Sequence, residues 1–482
     1  MSILAKGLHI KSTYFWSLVA GAYLLPFTAI AQDNNPPSRQ DLSLVAGYKA
    51  MFTCSATFNG GKAESDILVD ELKHIYAAYE PLLDDVGEAE IDRKKKFVSV
   101  SFSPDMPPRI SAWREHLGCT ALPQGANEKA IKYLPRVSLN SDAAKVRHKP
   151  WPTGDVVPDR EAFSDQAASL APVVKAAFDG DYKGRTSAVI VLKDGDIISE
   201  RYKSGHTKYT PQRTWSVAKS IAVSVIGVAV KDDVIELDEE TGLAAWSQKG
   251  DPRQTITLEN LLHMNSGLHT PIAGNRTDQI YLGGGLVNHH AIRNPLEAPP
   301  GGRWNYSNND TMLAMRTLRE QMSHDERYWE YPFKKLLHKI GMYHTFLEMD
   351  WSGDYVMSSQ VWTTARDLAR LGQLYLNNGE WDGEQVLPED WPDYVTMLAS
   401  DQPDGYENNP EAPGRAYGAQ FWLYKNYEGV PNDTYAALGN RGQFVIIIPS
   451  RNIVIVRRGY DYRENYFDGP KFTKDVLAAL SR

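Results

Sequence analysis

Ser216 and Lys219 stand three residues apart in Thr214-Trp215-Ser216-Val217-Ala218-Lys219-Ser220. On a helix that spacing puts a hydroxyl and an amine on one face, one turn apart. From Ser216 to Val230 the sole ionisable side chain is Lys219; the others are Val, Ala, Ile, Gly and Ser. A helix of that composition is buried almost all round. An amine held inside it is costly to desolvate, which favours its neutral, proton-accepting form. Ser216 would open the helix, where unpaired N–H groups and the helix dipole favour developing negative charge. The pair has the makings of an activated nucleophile. The same two residues also fit a plain N-cap and a first-turn lysine reaching for solvent.

Two further segments carry chemistry. Pro299-Pro300-Gly301-Gly302-Arg303-Trp304-Asn305-Tyr306-Ser307-Asn308-Asn309-Asp310 is turn-rich and leads into a helix expected from about Thr311. Within it, Tyr306 offers a phenol for proton transfer and Asn308 an amide that can orient a carbonyl. A buried tyrosine followed by an asparagine helix cap is the alternative. The third segment, Ala437-Leu438-Gly439-Asn440-Arg441-Gly442-Gln443, runs into an expected strand at 444–448. Glycine there lets the backbone come close to a ligand, and an N–H can form half of an oxyanion hole with that of Ser216. The alternative is a tight turn with no ligand.

The elements that must position these residues read as follows. Ala188–Leu192 and Ile197–Tyr202 are apolar strands joined at Asp194-Gly195, a hairpin signal. Phe444–Pro449 and Ile453–Arg457 form a second pair, and Phe472–Leu480 reads as a closing helix. Between the hairpins the pattern is mostly helical, with a long loop at Asp404–Arg415 and a glycine-bearing segment, Gly274–Asn288, expected to shape the pocket. The fold class is therefore α/β of the α+β type: an antiparallel sheet flanked by helices, with a helical insert.

The 482 residues allow two or three domains. With 42% hydrophobic and 23% charged residues the chain can bury a sizeable core and is not a disordered one. Lys+Arg of 52 against Asp+Glu of 60, a mildly acidic balance, argues against nucleic acid as the main partner. Residues 1–31 have a basic start, an apolar run from Tyr14 to Phe27 and Ala29-Ile30-Ala31, the layout of a secretory signal. The run is shorter than the ~20 residues of a membrane span, so the mature protein is expected to be secreted or periplasmic, without a membrane anchor. In such a compartment Cys54 and Cys119 are expected to pair, closing a loop of about 65 residues; two buried free thiols are the alternative. A phenylalanine-bounded strand is expected at Phe97–Phe102. The Pro-rich stretch His148–Gly154 reads as a linker. The expected organisation is a signal at 1–31, a small N-terminal domain at 32–150, a linker at 151–164 and a main domain at 165–482.

S-x-x-K, then Y-x-N about 90 residues on, then a glycine-bearing motif near the end, resembles the serine β-lactamase and penicillin-binding-protein superfamily. Ile256–Leu268 and Trp362–Gly372 resemble further elements of that family. The Y-x-N form is similar to the class C β-lactamase and esterase branch, and to 6-aminohexanoate-dimer-hydrolase-like proteins within it. The likeness spans about residues 165–482. It implies a β-lactamase/transpeptidase-like fold, with Ser216 as the acylated nucleophile, Lys219 as the amine that helps deprotonate it and Tyr306 as the relay to the leaving group. It implies Asn308 as a substrate-orienting amide, and an oxyanion pair from the N–H groups of Ser216 and Asn440 beside Gly439. The substrate would be a small-molecule amide or ester, with no cofactor. One departure stands out: the family's Lys-Thr-Gly falls on Ala437-Leu438-Gly439, without a cation. Arg441 is the nearest substitute, and Lys203-Ser204-Gly205 lies before Ser216, in the wrong order. A carboxylate-bearing β-lactam therefore has less to hold it, and amide or ester substrates are favoured.

Other chemistries have weaker footing. No G-x-S-x-G surrounds Ser216, no H-E-x-x-H or C-x-x-C occurs, and phosphate-binding glycine loops are missing. His289-His290 reads as a solvated pair rather than metal ligands. The rival reading is a catalytically silent relative that binds cell-wall or amide ligands. The joint presence of Ser216, Lys219 and Tyr306 weighs against it.

Overall fold

The computed structural model describes residues 36–139, 147–157, 163–270, 275–400, 402, 414–462 and 464–481. The segment read as a signal, residues 1–31, lies outside them, as does most of the loop at 404–415. Residues Arg39–Arg482 form one compact unit.

Within it, β1 (Glu90–Asp92), β2 (Phe97–Val100), β3 (Arg109–Arg114) and β4 (Gly118–Ala121) make an antiparallel meander in sequence order. The Arg39–Phe58 helix packs on this sheet, and a disulfide joins its Cys54 to Cys119 of β4. Every helix residue from Val45 to Thr57 is buried, more apolar surface than four short strands can cover. The remainder is covered by the main body: Tyr48, Met51 and Phe52 share one hydrophobic cluster with Val98 and Val100 and also with Trp215, Met312 and Trp362. The N-terminal segment thus has its own sheet and shares a hydrophobic cluster with the main body. Trp151 and Asp155, in the stretch read as linker, are likewise folded in. The Trp151 indole N–H donates to Gly195 O at 2.9 Å, and Asp155 pairs with Arg370 at 2.7 Å.

β5 (Thr186–Lys193) and β6 (Asp196–Tyr202) form the expected hairpin, with Asp194 and Gly195 at φ of +52° and +85°, the left-handed pair that a two-residue turn requires. Short strands β7 (Gln212–Arg213), β8 (Phe346–Leu347) and β9 (Val361–Thr363) pair in the order β7-β9-β8, and β10 (Glu380–Trp381) pairs with β11 (Glu384–Gln385). Finally β12 (Gly414–Tyr417), β13 (Trp422–Lys425), β14 (Tyr435–Gly439), β15 (Gln443–Ile448) and β16 (Ile453–Gly459) join the first hairpin. The result is a seven-stranded antiparallel sheet ordered β12-β13-β14-β15-β16-β5-β6.

Both faces of this sheet are covered, and the two-residue period sorts its side chains. Val189, Val191, Ile446, Ile448, Ile453 and Ile455 pack with Leu170 and Val174 of the Ser164–Asp179 helix and Phe472 and Val476 of the Gly469–Leu480 helix. Ile190, Leu192, Val445, Ile447, Val454 and Val456 pack with Val225 of the Val217–Lys231 helix and Leu368 of the Ala365–Leu376 helix. Each such side chain contributes about 1.5–3 kcal/mol of burial, which makes the sheet a rigid floor for what stands at its edge. The glycine-bearing third motif sits differently from expectation. It closes β14 instead of leading straight into β15, and the chain turns through Arg441 and Gly442 at φ of +59° and +75° before Gln443.

Candidate active site

Ser216 stands at the N-terminal boundary of the Val217–Lys231 helix without a side-chain capping bond and stays partly exposed, while Lys219 is 1% exposed. The approach to Ser216 is fixed from two sides. Thr214 N–H donates to Val361 O at 2.8 Å, continuing the pairing of β7 with β9. Arg458 of β16 donates to the carbonyls of Gln212 (2.8 Å) and Thr363 (2.7 Å) and to Gln443 Oε1 (2.6 Å), tying these strands to the sheet. Trp215, just before Ser216, has φ of +52°, a left-handed conformation that persists in a bulky residue only where its surroundings impose it. Lys219 Nζ lies 3.3 Å from Ser216 Oγ and donates to Ser358 O at 2.8 Å and to Asn308 Oδ1.

The loop before Asn308 is held by the 264–267 turn. Asn305 N–H donates to Met264 O at 2.8 Å and Gly301 N–H to Asn265 O at 2.8 Å. Gly267, at φ of +76°, lies so close that a Cβ there would be 2.2 Å from Ala298 O. The next helix starts at Asn308, three residues earlier than expected, because the Ser307 hydroxyl accepts the Asp310 N–H. Asn308 is therefore a first-turn residue, with its side-chain oxygen accepting from Lys219 Nζ. Tyr306 is hydrogen-bonded to the Ser216 hydroxyl, and desolvation pushes its phenol up to about 12. Its ring stands 5.0 Å from Lys219 Nζ and packs on Tyr417 (5.7 Å) and Trp422 (5.4 Å), with Trp304 completing an aromatic wall. Beneath this loop burial pushes Asp310 up to about 7, opposed by hydrogen bonds from Ser266 and Ser307.

The end of β14 meets the turn at Thr214–Ser216. A Cβ at Gly439 would sit 2.2 Å from Thr214 O and 3.2 Å from Ser216 N, so glycine is what lets the strand reach the Ser216 N–H. Asn440 follows, its side-chain oxygen accepting the Arg441 N–H at 2.8 Å. Arg441 itself is engaged elsewhere: it donates to the carbonyls of Asp461 (3.2 Å), Tyr460 (3.4 Å) and Asp70. Lys203 is drawn to Asp70 at 3.0 Å. The Gly283–Gly285 turn packs against Leu122 and Leu44 of the N-terminal layer, and His289 is exposed on a short helix. Among the described residues, no group of three or more His, Cys, Asp or Glu gathers as a metal site.

The structure therefore brings Ser216, Lys219, Tyr306, Asn308, Gly439 and Asn440 to one place. Sequence reasoning missed Ser358, whose contribution is a carbonyl that any residue could supply. It missed Arg458, an arginine on an inner strand with no motif around it. It also missed Tyr417 and Trp422, which reach Tyr306 through sheet pairing alone.

A family model described as Beta-lactamase matches residues 173–457. The 6-aminohexanoate-dimer hydrolase of Paenarthrobacter ureafaciens is 23% identical over 288 residues, 56% of this chain and 72% of that protein. A solved family VIII carboxylesterase superposes with a TM-score of 0.51 at 14% identity, over 66% of this chain and 98% of its own. A penicillin-binding-protein homologue from Caulobacter crescentus superposes with a TM-score of 0.50 at 16% identity, over 68% and 99%. The two solved structures share the fold.

Proposed function

This chain belongs to the beta-lactamase family, and from that premise we propose that it is an exported serine hydrolase acting on an amide or carboxylic ester through an acyl-enzyme on Ser216. The observation that carries the reading is the convergence on one hydroxyl: Lys219 Nζ at 3.3 Å, the Tyr306 phenol in a hydrogen bond to it, and the end of β14 against the Ser216 N–H. As Ser216 Oγ attacks the carbonyl carbon, its proton passes to the Lys219 amine. The carbonyl oxygen becomes an oxyanion between the N–H groups of Ser216 and Asn440. Tyr306, a phenol at neutral pH, gives its proton to the departing amine or alcohol and is reprotonated through Lys219. Asn308 orients the substrate carbonyl. Water then attacks the acyl-enzyme carbonyl, its proton following the same relay in reverse, and Ser216 is released with the acid.

Export is supported by the Cys54–Cys119 disulfide, a bond that persists in oxidising compartments; no helix among the described residues is long and apolar enough to cross a membrane. The substrate preference follows from what lines the site. The third motif carries Ala437 where a cation would hold a carboxylate, Arg441 is engaged by backbone carbonyls, and the Tyr306 side is walled by Trp304, Tyr417 and Trp422. Esters and linear amides of the 6-aminohexanoate-oligomer kind are favoured over β-lactams. Ranking kcat/KM for p-nitrophenyl butyrate, the linear 6-aminohexanoate dimer and a chromogenic β-lactam tests this, with the β-lactam expected last. A β-lactam ranked first would overturn the substrate assignment.

A further inference from the structure

Arg213 lies where two chains of contact meet that each end at a reacting group. It is 3% exposed. Its guanidinium stands 3.6 Å from the ring centroid of Trp215, the strained residue that precedes Ser216, and 4.6 Å from that of Phe52 in the Arg39–Phe58 helix. The Phe52 and Trp215 rings themselves lie 6.4 Å apart. Arg213 Nε donates to Ser359 O at 3.2 Å, and the preceding carbonyl, Ser358 O, is the one that accepts from Lys219 Nζ. One side chain thus touches the neighbour of the nucleophile and the neighbour of the lysine's acceptor. Its outer support comes from a helix that lies outside the matched family region of 173–457.

We propose that Arg213 is a positioning residue for Ser216 and Lys219, and that Phe52 is the surface that keeps it in place. The inference rests on the hydrolase reading above. The planar guanidinium is what the position uses: its face lies on Trp215 while the Nε–H stays directed at Ser359 O, a combination an ammonium does not offer. A shift of Trp215 moves the Ser216 N–H and hydroxyl together, and a shift of Ser359 moves the acceptor of Lys219. Neither shift acts directly on the aromatic wall of Trp304, Tyr417 and Trp422 against which the substrate is held, so the loss falls on kcat and not on KM.

The test is steady-state hydrolysis of p-nitrophenyl butyrate by wild type, Phe52→Ala, Phe52→Leu and Arg213→Lys, each well below its thermal midpoint. Phe52→Ala and Arg213→Lys are expected to lower kcat by about tenfold or more, with KM within about twofold of wild type. Phe52→Leu, which restores apolar surface under the guanidinium, is expected to recover most of the loss. If Phe52→Ala does not fold, Arg213→Lys and Phe52→Leu decide the question. Folded variants whose kcat stays within about twofold of wild type, while only the thermal midpoint falls, would overturn the proposal and leave the hydrolase reading standing. A wild type that neither turns over ester nor is acylated at Ser216 would remove both.

Discussion

At the scale of single residues, the proposed mechanism gives each proton a place to go. Ser216 faces an amine, a phenol and a backbone donor, and the phenol is held protonated by desolvation, up to about 12. Tyr306→Phe keeps the ring against Tyr417 and Trp422 and removes only the proton relay, so kcat should fall by roughly 10²–10⁴-fold with the fold intact; kcat within a few-fold of wild type would exclude Tyr306 from the relay. Asp310 makes a separate, thermodynamic prediction. Burial pushes its carboxyl up to about 7, so the folded state keeps a proton that the unfolded chain releases near its ordinary value of about 4. Stability from this group is present at low pH and is lost as pH rises through about 7. Glu348, also raised to about 7 by burial, adds the same slope in both proteins. Asp310→Asn should therefore show a smaller drop in thermal midpoint between about pH 5 and about pH 8 than wild type, and equal slopes would contradict the assignment. Ser216, Lys219, Tyr306 and Asn308 were legible as candidates because their spacing is chemical. Ser358 and Arg458 were not, because a carbonyl acceptor and an arginine bonded to carbonyls leave no mark in residue type.

At the scale of elements, the hairpins at 186–202 and 443–459 and the helix at 217–231 were readable from period and turn chemistry, since each is decided by local sequence. The start of the helix at Asn308 was not, because Ser307, Asn308, Asn309 and Asp310 are all good caps and only the fold selects Ser307. Nor was the placing of the third motif at the end of β14, which depends on β14 pairing with β15 and meeting the Ser216 turn. That meeting is testable. Gly439→Ala puts a Cβ 2.2 Å from Thr214 O, a contact only backbone movement can relieve. We expect kcat to fall by about tenfold or more as the two halves of the oxyanion hole part, with the sheet still folded by circular dichroism. Unchanged kcat would show that the β14 end is not half of that hole.

At the scale of the whole molecule, the N-terminal layer is the feature composition did not reveal. Its own sheet and disulfide read as a domain, but its helix is buried from Val45 to Thr57 against the body as well. Ionic contacts reinforce the join: Asp70 pairs with Arg185 at 2.9 Å and with Lys203 at 3.0 Å. The disulfide links residues 65 apart in sequence, so replacing both cysteines by alanine should lower the unfolding free energy by roughly 4 kcal/mol in denaturant titration; an unchanged midpoint would remove that role. The central claim remains that the whole chain presents one activated hydroxyl. Intact-mass analysis after exposure to a fluorophosphonate, run on wild type beside Ser216→Ala and Lys219→Ala, tests it most directly. The account predicts a single adduct on wild type, none on Ser216→Ala and slow labelling of Lys219→Ala. Folded wild type without an adduct, or Ser216→Ala labelled as readily as wild type, would contradict it and favour a silent binding protein.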